Sequence, residues 1–363
     1  MPKKASWGEA GMNEAQLEQA GVGNYTVTAH FQIISMILVI LSFAGMFIYS
    51  KKFVRIKDPY ENILPLTPQK RLDFGGRPAE LQLGFLLRGF PFFDMTKGTF
   101  SVNVALYFVF DPRLMSVDRV SEFFFKRGVI LSKSDPVIKI SGNKLFVQYE
   151  LRLKFDVSLN YEDFPFDGHR VNFVVYHPNI SPGEVYYTAV RNDFLINRNI
   201  EIPGWNIVDR RVVTGFEEER LVIVDRANPI VSYHPSAVFT VDFDRLGARQ
   251  IMTIFIPLLL IFFISLLSFS LNPFSGARTT MLSLAAASIT ALISYRFVIE
   301  NMSPSVGYLL IVDRMFLVFL ILCGMVFLVT IFGARITRFY KSLIAAGLQS
   351  IVVAAFGYFF FWI

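Results

Sequence analysis

The sequence predicts a membrane protein of the α+β class, in which an antiparallel β-sandwich is followed by a four-helix transmembrane bundle and preceded by one extra transmembrane helix. The distribution of charge is the first reason. Only 18% of the 363 residues are charged, whereas soluble domains average about a quarter. Of the 64 charged residues, 51 lie between positions 51 and 249. This composition indicates one water-facing domain between nearly charge-free segments, and it excludes a soluble enzyme, a disordered chain and a disulfide scaffold.

Five segments are long and apolar enough to cross a bilayer. A hydrocarbon core of about 30 Å requires about 20 helical residues at a rise of about 1.5 Å each. The uncharged runs are Phe31–Ser50, Gln250–Ala277, Thr279–Tyr295, Met315–Ala334 and Ser342–Ile363. Short connections join the last four runs, so we expect those helices to be neighbours in one bundle.

The first run is interpreted as an uncleaved anchor. Lys51 and Lys52 follow it directly and no A-x-A site ends it, which argues against a secretory signal peptide. With the amino terminus inside, the β domain lies outside the plasma membrane, and we expect a bacterial inner membrane. Arg335 and Lys341 agree with this orientation, but Lys51 and Lys52 oppose it, so charge alone leaves it open. The expected organisation is a tail (1–29), an extra helix (30–50), a linker (51–77), a β domain (78–248) and a helical pore domain (249–363).

Several segments of the water-facing domain have the composition of β-strands. They are rich in β-branched and aromatic residues, and turn signals such as Ser141-Gly142-Asn143 and Pro203-Gly204 separate them. No convincing amphipathic helix lies between them, so the pattern favours an antiparallel sandwich. The expected strands are 99–110, 145–157, 171–176, 185–190, 205–213 and 236–243.

The sequence carries no recognisable catalytic, metal-binding or nucleic-acid motif. The four histidines lack H-E-x-x-H spacing and no phosphate-binding glycine loop follows a strand, so we do not expect an enzyme. Cys323 is the single cysteine, which excludes an intrachain disulfide and a thiolate metal site. The net charge of +6 falls to +3 within residues 51–249, without a basic helix, so nucleic acid is not an expected partner. The acidic run Glu217-Glu218-Glu219 is expected at a solvated hairpin tip rather than in a divalent-cation site.

One set of motifs is more specific. Residues 164–167 read Phe-Pro-Phe-Asp between two predicted strands, Pro257 interrupts the apolar helix after the β domain, and Pro304, Tyr308 and Asp313 lie between the third and fourth spans. With the order of segments, these residues resemble the pentameric ligand-gated ion channels, the Cys-loop receptor superfamily, and in particular its prokaryotic members, over about residues 78–363. The resemblance implies a homopentamer in a lipid bilayer, with a pore for monovalent ions gated by an unknown small-molecule agonist.

The sequence departs from this family at several positions. The family's two loop cysteines would fall at Val157 and Val171, so no disulfide closes this loop here, a pattern that is usual in bacterial members. Tyr176-His177-Pro178 replaces an expected Ser-Trp, and the aromatic-rich stretch before the loop is shortened. The first span has no counterpart in the common family plan. A second hypothesis therefore stays open, in which the chain is a non-conducting membrane sensor or assembly scaffold with the same fold.

The resemblance also implies a joint that couples the β domain to the membrane helices. Asp167 would be a partly buried carboxylate in need of a partner. The family's basic residue twelve positions before the helix proline is Arg245 here, which implies an Asp167–Arg245 pair; the alternative is that Asp167 caps a turn. The expected coupling residues are Phe164, Pro165, Phe166, Asp167, Arg245, Pro304 and Tyr308.

The third span is the expected pore lining, because it is the most polar of the five. Ser283, Ala287, Thr290 and Ser294 recur at helical spacing and share one face, which continues to Phe297 and Asn301. Close helix packing by small residues is the alternative explanation. The register stays open, since counting from Gly276-Ala277-Arg278 gives a face that shares only two residues with the first. That second face contains Thr280, Leu284, Ala287, Ala291, Ser294 and Val298.

Two charged residues are candidates for ion selectivity. Arg278 lies near the expected inner mouth, where no carboxylate ring is present, and this favours a weak anion preference. Glu300 would form an outer ring, with Arg296 one turn below it. Alternatively, Arg278 anchors the helix end at the membrane interface by snorkelling.

The ligand-binding candidates lie on the hairpin 213–233 and on the loop behind it. They are Tyr176, His177, Phe216, Glu217 and Glu218, which are equally consistent with an ordinary exposed surface. No cofactor is expected and no metal site is firm. Modulation by protons at His177, or by divalent cations at the carboxylates, is an option.

Overall fold

The computed structural model describes residues 26–50, 55–75, 78–221, 230–271, 277–333 and 335–361. The chain divides into two compact units. The sheet unit contains the described residues of Val54–Tyr161 and Phe166–Leu246, and the helical unit contains those of Met1–Phe53, Glu162–Pro165 and Gly247–Ile363.

The described residues contain seven α-helices, two short 3-10 helices (Arg191–Asp193 and Ser268–Ser270) and eleven strands. The helices are α1 (Ala29–Ser50), α2 (Pro68–Asp73), α3 (Val117–Val120), α4 (Ala248–Leu267), α5 (Ala277–Met302), α6 (Ile311–Ile331) and α7 (Arg338–Phe361). The strands are β1 (Ala79–Asp94), β2 (Thr99–Phe110), β3 (Phe124–Phe125), β4 (Gly128–Lys133), β5 (Val137–Ser141), β6 (Lys144–Asp156), β7 (Gly168–Tyr176), β8 (Val185–Thr188), β9 (Phe194–Ile196), β10 (Trp205–Leu221) and β11 (Ile230–Arg245).

Among the described residues, α1, α4, α5, α6 and α7 are long and apolar enough to cross a membrane, which supports the prediction of a membrane protein. Helix α5 is longer than the predicted span 279–295 and continues to Met302. The apolar run ends at Arg296, but the helix continues to Met302. It ends there because Pro304 disfavours helical geometry in the residue before it. Arg296 and Glu300 are therefore helical residues.

Aromatic and polar contacts hold the long helices together. Helix α1 packs against α4 and α7, α4 against α5 and α6, α5 against α6, and α6 against α7. The rings of Phe43 (α1) and Phe356 (α7) lie 4.7 Å apart between centroids. Buried Gln32 of α1 donates to the carbonyl of Leu266 (2.9 Å) and accepts from Ser270 (2.9 Å). The first helix is thus joined to the other helices by hydrogen bonds as well as by apolar packing.

Two sheets form the sheet unit. One has the order β4-β6-β2-β1-β8, with β5 also on β6 and β9 also on β1, and the other has the order β10-β11-β7-β3. The second sheet is antiparallel, but β8 and β9 pair with β1 in parallel, so the prediction of a wholly antiparallel architecture is wrong for the first sheet. Turn signals identify hairpins between neighbouring strands, whereas β8 and β9 reach β1 through longer connections that leave no such signal.

The two sheets share a core of phenylalanines. Phe85 of the first sheet stacks on Phe173 (5.3 Å) and Phe239 (5.0 Å) of the second, and all three are fully buried. Burial of such rings contributes roughly 2 to 3 kcal/mol each. Strand β1 was not predicted, because its sequence is almost continuously apolar and contains Gly and Pro, which hides the alternation.

The turn between β1 and β2 requires a glycine. Gly98 has a φ of +64°, and a Cβ there would lie 2.2 Å from the carbonyl oxygen of Val157. Gly142, in the hairpin between β5 and β6, has a similar φ of +61° but open space around it. A side chain at Gly98 would meet both backbone strain and a steric clash, whereas a side chain at Gly142 would meet backbone strain alone.

We predict that Gly98→Ala lowers the free energy of unfolding by about 3 kcal/mol, since it combines left-handed strain with a backbone clash. The matched variant Gly142→Ala carries the strain alone and should cost about 1 kcal/mol. Chemical denaturation followed by circular dichroism measures both. Equal losses in the two variants would show that the approach of Val157 to Gly98 is not a constraint.

Candidate functional site

The Phe-Pro-Phe-Asp loop connects β6 to β7. Phe164 is fully buried, the Phe164–Pro165 peptide bond is cis, and Phe166 is half-buried. Residues 162–165 belong to the helical unit, where the amide of Ile311 at the start of α6 donates to the carbonyl of Glu162 at 3.1 Å. The chain therefore passes from the sheet unit into the helical unit at Glu162 and returns to the sheet unit after Pro165.

Asp167 and Arg245 form a two-pronged ion pair in the sheet unit. The guanidinium donates through Nε to Oδ1 (2.8 Å) and through Nη2 to Oδ2 (2.9 Å). The side chains are only 1% and 8% exposed, and the guanidinium also lies 4.3 Å from the centre of the Trp205 ring. This is the pair that the resemblance implied; its role in gating stays a prediction.

His169 extends this pair into a row of alternating charges. Its Nε2 lies 2.7 Å from Asp167 Oδ2 and its Nδ1 lies 3.0 Å from Asp58 Oδ2, and the ring is fully buried. Ionised carboxylates only accept hydrogen bonds, so this geometry fits a ring that is protonated on both nitrogens, an imidazolium between two carboxylates. The order of charges is Asp58, His169, Asp167, Arg245, each opposite in sign to the next.

The electrostatics of this row favour the charged forms. Burial alone lowers the pKa of His169, but the hydrogen bonds and charges of Asp167 and Asp58 outweigh it and raise the pKa above its ordinary value. Burial alone raises the pKa of Asp167, but Arg245 and His169 outweigh it and lower the pKa. Each charge is therefore stabilised by its neighbours rather than by water.

Sequence reasoning missed both His169 and Asp58. His169 is two residues from Asp167, and on a strand such residues share a face, so this signal was available. Asp58 lies in the segment 51–77 that the sequence assigned to a linker, where no periodicity marks it. The structure places residues 55–75 in the sheet unit.

Helix α5 exposes one polar face. Its buried residues Met281, Ala285, Ser288, Leu292 and Ile299 lie on the side of the neighbouring helices. The opposite side contains the predicted pore residues, which are all exposed: Thr280, Ser283, Ala287, Thr290, Ser294, Phe297 and Asn301. In the alternative register Leu284 is half-buried, while Ala291 and Val298 are exposed. Every position of the first face is thus exposed, and the second face is exposed at all but one.

The charged residues near α5 have different surroundings. Arg296 pairs with Asp313 of α6 and lies 5.6 Å from the centre of the Phe316 ring. Asp313 also accepts a hydrogen bond from the amide of Leu310 (3.0 Å) in the first turn of α6. Arg278 and Glu300 are exposed, Pro304 is buried and Tyr308 is exposed. Arg296 is consequently bound to the neighbouring helix.

The ligand-binding candidates do not form one exposed group. His177 is fully buried, with Nε2 3.0 Å from the carbonyl oxygen of Val120 and Nδ1 against the Tyr187 hydroxyl. Phe216 is buried beside Phe74, with 5.1 Å between ring centres. Tyr176 is half-buried at the end of β7.

The acidic run is not at a hairpin tip, so that prediction is wrong. Glu217, Glu218 and Glu219 lie within β10, which continues to Leu221. Glu217 pairs with Lys126 at 2.5 Å, and Glu219 lies 3.3 Å from His234. Clustered carboxylates are typical of exposed turns, but here Lys126 and His234 pair with two of them and the run stays within a strand. The hairpin residues 222–229 lie outside the described part of the chain. Within that part, no three His, Cys, Asp or Glu side chains form a group that could hold a metal ion.

The chain matches no model of a known protein family, and no curated protein matches it at a significant level.

We predict that Asp167→Asn lowers the free energy of unfolding by about 3 kcal/mol, because it leaves two buried cations without their shared anion. Thermal unfolding of the full-length protein in detergent, followed by circular dichroism, measures the change. Asp209→Asn, which removes a carboxylate from the exposed Arg191–Asp209 pair, is the matched control and should change stability little. Similar effects in both variants would mean that Asp167 contributes no more than a surface ion pair.

We also predict that His177 makes the protein less stable in acid. Burial lowers the pKa of His177 to about 4, whereas an unfolded histidine titrates near 6.5. As the pH falls from about 6.5 to about 4, the unfolded state binds a proton that the folded state does not, so stability falls. The full loss is about 3 kcal/mol.

His177→Gln should flatten this dependence between pH 7 and pH 5, measured as the change of the thermal midpoint with pH. His169 has a raised pKa, so its stabilisation is complete below pH 6.5 and is lost only as the pH rises through its folded pKa. It therefore does not mask the effect. The control is His30→Gln, which alters an exposed histidine. An unchanged slope in His177→Gln would contradict the prediction.

Proposed function

We propose that the protein is a subunit of a homopentameric ligand-gated ion channel. In this proposal the two packed sheets form a β-sandwich sensor, α4–α7 form the transmembrane bundle, α5 lines the pore, and α1 is an additional helix at the periphery. The observation that carries the proposal is the exposed polar face of α5. The resemblance described above supports the choice of channel class.

The polar face is costly if it contacts lipid. Hydrocarbon offers no hydrogen-bonding partners, so a row of several polar side chains along a membrane helix favours protein or water over lipid. Ser288, on the buried side, donates to the carbonyl of Leu284 (2.9 Å), whereas Ser283 and Ser294 are on the exposed side. Five copies arranged around an axis would turn this face towards a water column.

The ends of the face support the same arrangement. Arg278 and Glu300 are both exposed and are 22 residues apart, which corresponds to about 33 Å of helix. This length is close to the thickness of the hydrocarbon core. The two charges would therefore lie at opposite membrane surfaces, with the small polar residues between them at the depth of the lipid chains.

Coupling is proposed to pass through the Asp167–Arg245 pair. One residue separates Asp167 from residues 162–165, and two residues separate Arg245 from the start of α4. A rigid Arg–carboxylate fork joins these two chain segments. A change in the sandwich would thus reach α4 along the chain, and Pro304 and Tyr308 would respond at the end of α5.

Fewer residues support the proposals about ion selectivity and about the ligand than support the pore. Arg278 favours monovalent anions at one mouth, and Glu300 would form a ring at the other. The localisation proposed is a bacterial inner membrane, with the sandwich outside. The alternative function, a non-conducting sensor or scaffold, is favoured by the burial of His177 and Phe216, which leaves two of the five ligand candidates inaccessible.

We predict that cysteines on the polar face react with charged, water-soluble thiosulfonate reagents. Cys323, the native cysteine, is buried, so the background is low. Thr290→Cys and Ser294→Cys should be modified in proteoliposomes, since a water column reaches them. Ser350→Cys is the matched control, because Ser350 is exposed on α7 and would face lipid. Equal reactivity at positions 294 and 350, or none at 290 and 294, would contradict a pore along this face.

Ion flux distinguishes the two functions. Purified protein in liposomes should conduct, and Ser294→Trp should abolish flux, while Ser350→Trp should leave it unchanged. Flux is measured at neutral and acidic pH, with and without Ca²⁺. Reactive cysteines without flux under any condition would favour the non-conducting sensor, and flux that survives Ser294→Trp would place the pore elsewhere.

A further inference from the structure

Residues 55–75, here called the strap, follow α1 in the chain and lie along the second sheet of the sheet unit. The strap makes backbone bridges at two places: Ile56 with Gly168 of β7, and Leu64 with Phe216 of β10. Its last part contains the short helix α2, which Thr67 caps. A segment of linker-like composition is therefore attached to two different strands.

The first attachment is at the charge row. The amide of Gly168 donates to the carbonyl of Arg55 at 2.6 Å. Asp58 is 5% exposed and accepts from the amides of Asn160 (2.7 Å) and Arg170 (3.0 Å) as well as contacting His169. A buried carboxylate with this many donors is held firmly, because each lost hydrogen bond would leave its charge partly unsolvated.

The second attachment is at the hairpin of β10 and β11. Leu64 and Phe216 exchange two backbone hydrogen bonds, each 2.8 Å long. The ring of Phe74 packs on Phe216 (5.1 Å) and on Tyr233 of β11 (5.2 Å), so it contacts both strands. Between the two attachments, Lys126 bridges Glu61 of the strap (2.6 Å) and Glu217 of β10 (2.5 Å).

Glycines in the strands make both approaches possible. At Gly215 a Cβ would lie 2.2 Å from the carbonyl oxygen of Leu64, and at Gly168 it would lie 2.9 Å from that of Arg55. Neither glycine has a positive φ, so backbone conformation does not require them. What the two positions share is the close passage of the strap backbone.

The attachments are far apart along the sheet. Gly215 is opposite Ser236, and Gly168 is opposite Asp244, so eight residues of β11 separate them, or about 27 Å. We propose that the strap is a tie that couples the β10–β11 hairpin to the His169–Asp167–Arg245 row, so that loosening it at one end loosens the other. The structural coupling between the two attachments is independent of the proposed channel function. The further idea that this coupling regulates the Asp167–Arg245 pair rests on that function.

Gly215→Val tests the tie from the hairpin end. All three nearest atoms to its new Cβ belong to the strap, so the substitution displaces the strap while valine suits a strand. Gly89→Val in β1 is the matched control, because nothing lies within 4 Å of a Cβ there. Hydrogen–deuterium exchange is measured by mass spectrometry on the full-length protein in lipid nanodiscs.

We expect exchange in Gly215→Val to rise about tenfold at the amides of Leu64 and Phe216, which are hydrogen-bonded to each other's residues, and also at the distant amides of Gly168 and Arg170. Asp58→Asn tests the reverse direction and should raise exchange at Leu64 and Phe216, because coupling between two sites is reciprocal. It also serves as the second variant if Gly215→Val does not fold. Faster exchange confined to the mutated end in both variants would overturn the tie, as would unchanged exchange throughout.

Ion flux through the same variants, reconstituted in liposomes, separates the two proposals. If the unsubstituted protein conducts and the strap regulates the coupling pair, the Gly215→Val variant should lose its gating response, whereas the Gly89→Val variant should keep it. An unaffected response would overturn the regulatory role. Parent protein that never conducts would count against the channel function alone, and the exchange data would still decide the tie.

Discussion

The burial of Asp167 is the constraint on which the sheet unit depends. A carboxylate that is 1% exposed loses nearly all of its hydration, and only close cations make its ionised form stable. Arg245 supplies one cation from the end of β11, and His169 supplies the other from β7. His169 in turn needs Asp58, which comes from the strap. One buried charge thus joins the start of β7, the end of β11 and a segment far away in the sequence.

Polar side chains of the helical unit have two kinds of surroundings: partners within the unit, or an exposed helix surface. Gln32 and Arg296 find partners within the unit, at Leu266 and Ser270 and at Asp313 respectively. The hydroxyls of Ser283 and Ser294 instead lie on the outside of α5. Paired polar groups fix the positions of helices relative to one another, and an exposed polar face requires an environment other than lipid. That contrast within one unit is the physical basis for the proposed pore.

Much of the fold could be predicted because it follows from local patterns. The runs of apolar residues identify all five long helices, and β-branched and aromatic alternation locates β2 at its observed bounds. The parallel pairing of β8 and β9 with β1 could not be predicted, since pairing depends on which distant strand offers a free edge. Strand β1 was not predicted because Gly and Pro interrupt its apolar sequence and hide the alternation, and the acidic run was assigned wrongly because ion pairs between distant segments are not visible in a single sequence.

For the candidate site, the sequence by itself determined the residue types and their helical or strand phase: the polar repeat of α5, the Asp167–His169 spacing, and the acidic and basic ends of the proposed pore helix. The tertiary structure decided the partners. It brought Asp58 to His169, paired Arg296 with Asp313, and buried His177 and Phe216. Periodicity is a property of neighbours along the chain, whereas ion pairs and burial arise when distant segments meet. No pattern within residues 51–77 could show that Asp58 completes a buried row of charges.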